Sequence, residues 1–180
     1  MYPIITITII KGEGKIMVKS AYFAGGCFWC ITPIFKIYGG VDKVVSGYSG
    51  GDEENPTYED VKAQKTGHRE AFMLSYNEEE IDYETLVEIY LANVDPFDEG
   101  GQFVDRGHSY TLAIYYVDDA QKEIATRMVK ELEDRENKKA YIAIEAFKSF
   151  YEAEEYHQDY AEKNPEAFEK ELIESGRKSQ

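Results

Sequence analysis

The chain has 180 residues, a net charge of -15 at pH 7, two cysteines, one tryptophan and fifteen tyrosines. This length and apolar content suit one folded domain, and the aromatic content excludes a disordered or low-complexity protein. The negative charge argues against nucleic acid or an anionic membrane as a partner, because phosphate recognition needs clustered cations, and no apolar run is long enough to cross a membrane.

Hydrophobic patterning predicts strands alternating with helices. Residues 1–17 form an N-terminal extension with a strand at 3–10 and a turn at 11–14, and residues 18–180 form one domain with a charged, fraying tail at 170–180. We predict strands at 18–23, 43–48, 70–76, 110–117 and 141–147, and helices at 33–38, 57–64, 82–93, 119–136 and from 152 onward. This alternation predicts an α+β fold, a two-layer α/β sandwich whose mixed sheet is covered by helices.

Residues 94–109 break this pattern, because they show neither helical nor strand periodicity and contain Gly100, Gly101 and Gly107. A loop of this length inside a compact domain is usually functional or disordered. Its glycines, together with the embedded Phe97 and Phe103, favour an ordered loop that helps to form a site.

Both cysteines lie in residues 25–30 (GGCFWC), between a predicted strand and a predicted helix. Cys27 is therefore expected at a helix N-terminus, where unpaired N–H groups and the helix dipole favour a thiolate. Because Pro33 fits a helix only in its first turn, regular helix should begin near Ile31. The thiol of Cys30 can close a disulfide with Cys27. The alternatives are two buried structural cysteines or half of a zinc site.

A carboxylate lies on the apolar face of the strand predicted at 70–76. The two-residue period places Glu70 on the same face as Phe72 and Leu74, which should point to the core. Burial would raise the pKa of Glu70 and leave it protonated near neutrality, as a general acid requires. On alternation alone, Glu70 could equally reach solvent at the strand end or pair with Arg69.

Several motifs occur in order between residues 21 and 165. They are GCFW at 26–29, SGYSGG at 46–51, NPTY at 55–58, TGHRE at 66–70, DRGHSY at 105–110, AEEYHQDY at 153–160 and KNP at 163–165. Together they resemble the peptide methionine sulfoxide reductases of the A type, and they are far more specific than a CxxC pair alone. The resemblance implies a ferredoxin-like core with extensions and a single catalytic domain over residues 18–180.

The resemblance implies that Cys27 is the nucleophile that attacks the sulfoxide sulfur. Glu70 would donate a proton to the sulfoxide oxygen, helped by the hydroxyls of Tyr58 and Tyr110. The attack would leave a sulfenic acid on Cys27, which Cys30 would convert to a disulfide. The implied enzyme is a peptide-methionine (S)-S-oxide reductase, which repairs oxidised methionine that is free or within proteins.

The resemblance also implies a set of substrate-binding residues. Phe28 and Trp29 would form an apolar wall around the methyl group of the sulfoxide. Asp105 would complete the hydrogen-bond network around the substrate, and Gly26 belongs to the nucleophile turn. His68 is included in this set, although holding the backbone is the other role open to it.

Many members of the family have glycine at the position of Cys30 and resolve the sulfenic acid with a C-terminal cysteine. This chain has no cysteine after Cys30, so the alternative to Cys30 is direct attack by an external thiol. Departures at Thr32 and at residues 109–112 bear on substrate preference. The resemblance implies a thioredoxin-like dithiol reductant, no metal and no other cofactor, and we expect a monomer in the reducing cytoplasm.

Two other functions compete with this interpretation. One is a general thiol–disulfide oxidoreductase that uses the CxxC pair, and it has no use for Glu70, Tyr58 and Tyr110. The other is a module that binds methionine or its sulfoxide without turnover. Replacing Cys27 with serine would abolish either enzymatic function and leave binding by such a module intact.

Overall fold

The computed structural model describes residues 8–10 and 15–177, and a mixed β-sheet forms its centre. The strands are β1 (Thr8–Ile10), β2 (Lys15–Gly25), β3 (Val41–Ser49), β4 (Arg69–Asn77), β5 (Gly101–Gln102), β6 (Asp105–Arg106), β7 (Leu112–Tyr116), β8 (Ile142–Ala146) and β9 (Phe150–Glu152). The helices are α1 (Phe28–Phe35), α2 (Tyr58–Lys62), α3 (Tyr83–Ala92), α4 (Asp119–Glu136), α5 (Tyr160–Lys163) and α6 (Pro165–Glu174). Two 3-10 turns lie at His108–Tyr110 and Glu155–His157.

The main sheet has the strand order β8-β7-β2-β4-β3-β9, and β1 pairs with the first residues of β2. The pair β7 and β8 is parallel, and the other pairs are antiparallel. Within this sheet, β2-α1-β3-β4-α3-β7 is a βαββαβ unit with the strand order β7-β2-β4-β3, which is the ferredoxin-like arrangement. The expected α+β fold with a mixed sheet and a ferredoxin-like core is confirmed.

The core lies between one face of this sheet and helices α1, α3 and α4. Aromatic rings join the layers: the ring centroids of Phe23 on β2 and Tyr90 on α3 are 5.0 Å apart. On the opposite face, Tyr22 stacks against Phe147 at 4.1 Å and contacts Phe150. The segment that leads into β9 therefore covers the face of the sheet that the helices leave open.

Helix α1 begins three residues before the predicted Ile31, so that prediction is wrong. The carbonyl of Cys27 accepts the N–H of Cys30 at 3.1 Å, which makes Cys27 the N-cap residue and puts Pro33 inside the helix. The N–H that proline lacks would have bonded to the carbonyl of Trp29. A helix of two turns tolerates this loss because its other side is packed against the core.

The C-terminal part also differs from the prediction of one helix from residue 152 onward. Residues Phe150–Glu152 form β9, which pairs with β3, and the helical part is divided into α5 and α6. The expected fraying of the tail is wrong up to Arg177, whose guanidinium bonds the carbonyl of Gln102 and the carboxylate of Asp105. Long-range contacts, which have no local sequence signal, decide both features.

The other expectations for loops and termini agree with the structure where it describes them. Residues 94–109 are ordered around the hairpin of β5 and β6, as expected. The strand predicted at 3–10 is confirmed for Thr8–Ile10, whereas residues 3–7 and the turn at 11–14 lie outside the described residues. Strand β2 runs without a break past residue 17. Across the described ranges, none of the helices has the length and apolar character to span a membrane.

The close approach of β9 to β3 requires glycine at position 47. A Cβ atom on Gly47 would collide with the ring of Phe150 and lie 2.5 Å from the carbonyl oxygen of Tyr151, whereas a Cβ on Gly39 would meet nothing within 4 Å. We expect Gly47→Ala to lower the free energy of unfolding by roughly 1–3 kcal/mol, and Gly39→Ala to leave it within about 0.5 kcal/mol. Urea denaturation of the two variants measures this difference, and equal stabilities would contradict the pairing of β3 with β9.

Candidate active site

Cys27 lies in the turn that joins β2 to α1. Gly26 has a φ of +77°, and a side chain there would collide with Gln102 of the 94–109 loop. Glycine therefore gives the chain the left-handed turn and the close approach that bring Cys27 to the N-cap position of α1. The Cys27 side chain is 5% exposed, and its expected place at a helix N-terminus is confirmed.

Glu70 reaches from β4 to the first turn of α1. Its side chain is 2% exposed, and its Oε2 accepts the N–H of Phe28 at 3.1 Å. Burial raises the pKa of Glu70 to about 8, and nearby carboxylates act in the same direction. Of the orientations that strand alternation left open, the structure shows the inward one: Glu70 does not reach solvent, and Arg69 pairs with Glu145 instead. At neutral pH the carboxyl form of Glu70 predominates.

The surroundings of Cys27 favour the thiol over the thiolate. The hydrogen bond with the Cys30 thiol, burial, and the charges of Glu70 and Glu171 together hold the pKa of Cys27 well above its ordinary value. The N–H of Phe28, which belongs to the helix N-terminus, is already bonded to Glu70. The prediction that this N-terminus favours a thiolate is therefore wrong for the protein without substrate.

Two tyrosines border the same space. Burial and the charge of Glu70 raise the pKa of both Tyr58 and Tyr110, so each hydroxyl keeps its proton as a hydrogen-bond donor. Glu154 fixes Tyr58 by accepting its backbone N–H at 2.9 Å. We did not predict this role of Glu154 from the sequence, although the residue lies within the AEEYHQDY motif.

Phe28 and Trp29 form an aromatic wall beside the nucleophile turn. Phe28 is 1% exposed, whereas Trp29 is partly exposed and stacks on Tyr160 with ring centroids 3.9 Å apart. The indole N–H of Trp29 donates to Nδ1 of His157 at 3.1 Å. Tyr160 and His157, which sequence reasoning assigned no place in this wall, hold the tryptophan ring in position.

His68 has a different place from the other predicted site residues. Its Nδ1 accepts the N–H of Gly51 at 3.2 Å, and its Nε2 donates to the carbonyl of Glu53 at 2.8 Å. The side chain is fully buried, so both ring nitrogens are engaged by backbone. We therefore correct the expectation that His68 binds substrate: it supports the loop before α2, which is the other role considered for it.

The C-terminal helix brings a further carboxylate to the nucleophile. Glu171 on α6 has its Oε1 3.9 Å from the Sγ of Cys27, as acceptor of the thiol hydrogen bond. Burial, followed by the charge of Asp105, raises the pKa of Glu171. Arg177 donates to Oδ2 of Asp105 at 3.0 Å, so the predicted substrate ligand is engaged by the tail. The sequence motifs end at residue 165 and gave no signal for these contacts.

Three ligand atoms in this site are close enough to hold one metal ion. The sulfurs of Cys27 and Cys30 and a carboxylate oxygen of Glu171 all lie within 4.8 Å of one another. Both cysteines are unpaired thiols.

The site as a whole combines a nucleophile, a second thiol, a protonated carboxyl and two phenol donors. This combination suits reduction of a polar S–O bond.

Protein stability should depend on the ionisation of Glu70. Its pKa is about 8 in the folded protein, against an ordinary value of 4.5, so the native state binds this proton more tightly. The resulting stability is fully present below about pH 4.5 and is lost as the pH rises to about 8. Glu70→Gln keeps an acceptor for the Phe28 N–H and removes the titration.

We expect the wild type to lose roughly 3–5 kcal/mol of unfolding free energy relative to Glu70→Gln over this pH range. Urea denaturation of both proteins at several pH values measures the difference. Parallel pH profiles would contradict a buried carboxyl that is protonated at neutral pH.

Comparisons with known proteins agree with this geometry. The peptide methionine sulfoxide reductase family profile matches residues 19–180. A peptide methionine sulfoxide reductase MsrA of Bacillus velezensis is 49% identical over 159 residues, which cover 87% of this chain and 90% of the relative. Mxr1 from Saccharomyces cerevisiae in reduced form matches with a TM-score of 0.78 at 29% identity, covering 83% of this chain and 87% of that one.

The same yeast protein has been solved in complex with Trx2, and that chain matches with a TM-score of 0.56 at 24% identity, covering 88% of this chain and 94% of that one. The family profile spans most of the chain, and the Bacillus relative is similar over nearly its whole length. This chain belongs to the peptide methionine sulfoxide reductase family.

Proposed function

We propose that this protein reduces the S epimer of methionine sulfoxide to methionine, as a peptide-methionine (S)-S-oxide reductase that acts on free and protein-bound substrate. One observation carries the proposal: the Glu70 carboxyl, protonated at neutral pH, is bonded to the N–H next to Cys27. Sulfoxide reduction needs this pair, because sulfur is attacked by a thiol while the departing oxygen needs a proton. The choice of epimer follows from membership of the A type.

In the proposed reaction, Cys27 Sγ forms a bond to the sulfoxide sulfur and Glu70 gives its proton to the oxygen. The hydroxyls of Tyr58 and Tyr110 stabilise the charge that develops on that oxygen. The S–O bond of the substrate then breaks as the oxygen forms a bond to Cys27 Sγ, and the bond between the two sulfurs breaks to release methionine. Cys27 is left as a sulfenic acid. The proton of the Cys27 thiol replaces the one that Glu70 lent, so no net proton is consumed.

The substrate would be held by groups around this centre. Phe28 and Trp29 offer aromatic faces to its methyl group, and each good contact contributes about 1 kcal/mol. Asp105 would bind the polar part of the substrate once Arg177 releases it. These roles come from the family resemblance, and the burial and contacts of the residues support them.

We further propose that Cys30 resolves the sulfenic acid. Its thiolate attacks Cys27 Sγ, and hydroxide leaves as water with the proton that Cys30 gave up. The two sulfurs lie within 4.8 Å of each other and have to approach to about 2.05 Å to form the disulfide. The helical turn that contains Cys30 already lacks one backbone hydrogen bond, because Pro33 has no N–H to donate. The chain has no other cysteine for this step.

A thioredoxin-like dithiol would then reduce the disulfide, in keeping with the yeast relative that was solved in complex with Trx2. Recycling through a dithiol fits a reducing compartment such as the cytoplasm. The reaction as written needs no metal and no organic cofactor. A monomer is sufficient for it, because all the named groups come from one chain.

A single-turnover experiment tests the reaction and its resolving step. Prereduced protein is mixed with an equimolar peptide containing S- or R-methionine sulfoxide, and methionine and free thiols are counted after quenching. We expect loss of the S epimer and of both thiols. Cys27→Ser should abolish turnover, and Cys30→Ser should reduce one equivalent with the loss of one thiol. Failure to reduce either epimer would refute the proposed function.

The acid role of Glu70 is tested separately. We expect Glu70→Gln to lower the single-turnover rate about 10²–10⁴-fold, because the amide accepts the Phe28 N–H but has no acidic proton to give. Glu88→Gln, at an exposed position on α3, is the matched control and should react at the wild-type rate. Equal rates for the two variants would remove Glu70 from the reaction.

A further inference from the structure

The carboxylate of Glu171 and the two thiols form a compact set of metal ligands. The Cys27 sulfur lies 3.9 Å from Oε1 of Glu171, and the three ligand atoms lie within 4.8 Å of one another. Tetrahedral zinc has Zn–S bonds of about 2.3 Å and Zn–O bonds of about 2.1 Å, so its ligand atoms are roughly 3.5–3.8 Å apart. Movements of less than about 1 Å per side chain would therefore bring all three atoms onto one ion.

The proposed ligands themselves would attract a cation. Glu171 contacts Cys27, and Asp105 lies close enough to Glu171 to act on it. The guanidinium of Arg177 also acts on Glu171, but it is bonded to Asp105. Two thiolates and the Glu171 carboxylate would carry three negative charges, which a divalent cation bound between them would offset in a largely buried place.

We propose that the reduced protein binds one zinc ion through the sulfurs of Cys27 and Cys30 and the carboxylate of Glu171, with a water molecule as the fourth ligand. Two thiolates and a carboxylate select zinc over magnesium or calcium, which prefer oxygen ligands only. Binding releases the two thiol protons to solvent and transfers no electrons, since the sulfurs coordinate as thiolates.

An ion can reach this site from the side of Cys30. A cavity of about 670 Å³ lies between α1, the end of α3 and α6, and Cys30, Leu172 and Arg177 are among its lining residues. Cys27 is not part of this lining. The cavity therefore gives a metal ion or a chelator a path to the second thiol while α6 stays in place over the nucleophile.

The bound ion would inhibit the enzyme reversibly. Helix α6 contributes no buried residue, so its own packing against α1 is weak, and a bond from zinc to Glu171 would hold it in place. A metal-bound Cys27 cannot attack a sulfoxide, and Cys30 would be protected from oxidation in the same complex. The inhibition rests on the proposed function, whereas the binding of zinc does not.

Binding is measured on prereduced, metal-free full-length protein by competition with a chromophoric zinc chelator. A phosphine keeps the thiols reduced, because dithiols would compete for the metal. Co²⁺ serves as a second probe, since thiolate ligands give it a charge-transfer band in the near ultraviolet and tetrahedral coordination strengthens its visible bands. We expect one equivalent of either metal and loss of both cobalt signals in Cys30→Ser.

The decisive comparison is between two carboxylates of α6. Glu171→Gln should weaken zinc binding at least about tenfold, since even outer partners of zinc ligands contribute that much. Glu174→Gln, an exposed position one turn further on, should bind like the wild type. Equal affinities for the two variants, or no binding at one equivalent, would overturn the proposal.

Activity separates this proposal from the proposed function. Stoichiometric zinc should abolish single-turnover reduction by the wild type, and EDTA should restore it. Zinc binding with the expected variant pattern, in a protein that reduces no sulfoxide even without metal, would refute the reductase function and leave the metal site standing. Full activity with zinc bound at this site would overturn the inhibitory part of the proposal.

Discussion

The hydrogen bond from the Phe28 N–H to Glu70 joins the sheet to the nucleophile turn. It connects residues 42 positions apart and fixes the first turn of α1 against β4, with Cys27 immediately before it. A buried carboxyl without a partner would be costly, and this N–H satisfies one of its oxygens. The other oxygen can carry the proton that burial stabilises. One contact thus sets the position of the nucleophile and of the acid.

The neighbours of Cys27 decide the protonation of its thiol. A helix N-terminus usually stabilises a thiolate, but here the hydrogen bond with Cys30, burial, and the charges of Glu70 and Glu171 favour the thiol form. A neutral thiol reacts slowly with oxidants and alkylating agents, because the thiolate is the nucleophilic form. The proposed reaction does not need a standing thiolate, since the proton of Cys27 is used to restore Glu70 after the oxygen has been protonated. These surroundings therefore keep Cys27 as a poorly reactive thiol until a sulfoxide, whose oxygen accepts the proton, is bound.

Local patterns predicted the parts of the site that lie close in sequence. The Gly-Gly turn predicted the place of Cys27, and strand alternation put Glu70 on the apolar face of its strand, because each depends on a few neighbouring residues. Alternation alone left solvent or Arg69 as equal alternatives for the Glu70 side chain. The protonation of Cys27 was mispredicted because the hydrogen bond with Cys30, burial in the folded protein, and the charges of Glu70 and Glu171 together outweigh the helix N-terminus. Strand β9 was missed for a similar reason: three residues carry no period, and pairing with β3 alone makes them a strand.

The C-terminal helix α6 places the carboxylate of Glu171 beside Cys27. The second thiol, Cys30, lies in α1, and the tail brings Glu171 to the nucleophile. Helix α6 has no buried residue of its own, and Arg177 holds this end of the chain by its bond to Asp105 and by contact with the ring of Phe103 at 4.5 Å.

With the proposed roles of Asp105 and Cys27, a substrate bound to Asp105 would break the ion pair with Arg177, and a sulfur approaching Cys27 would displace Glu171. Both displacements would act on the same short segment, so substrate binding and docking of the tail would exclude each other. This competition would reduce the apparent affinity for substrate by the fraction of molecules in which the tail is docked. A zinc ion bound to Glu171 would favour the docked tail, and a bound substrate would favour the undocked tail. The two ligands would therefore oppose each other through one equilibrium.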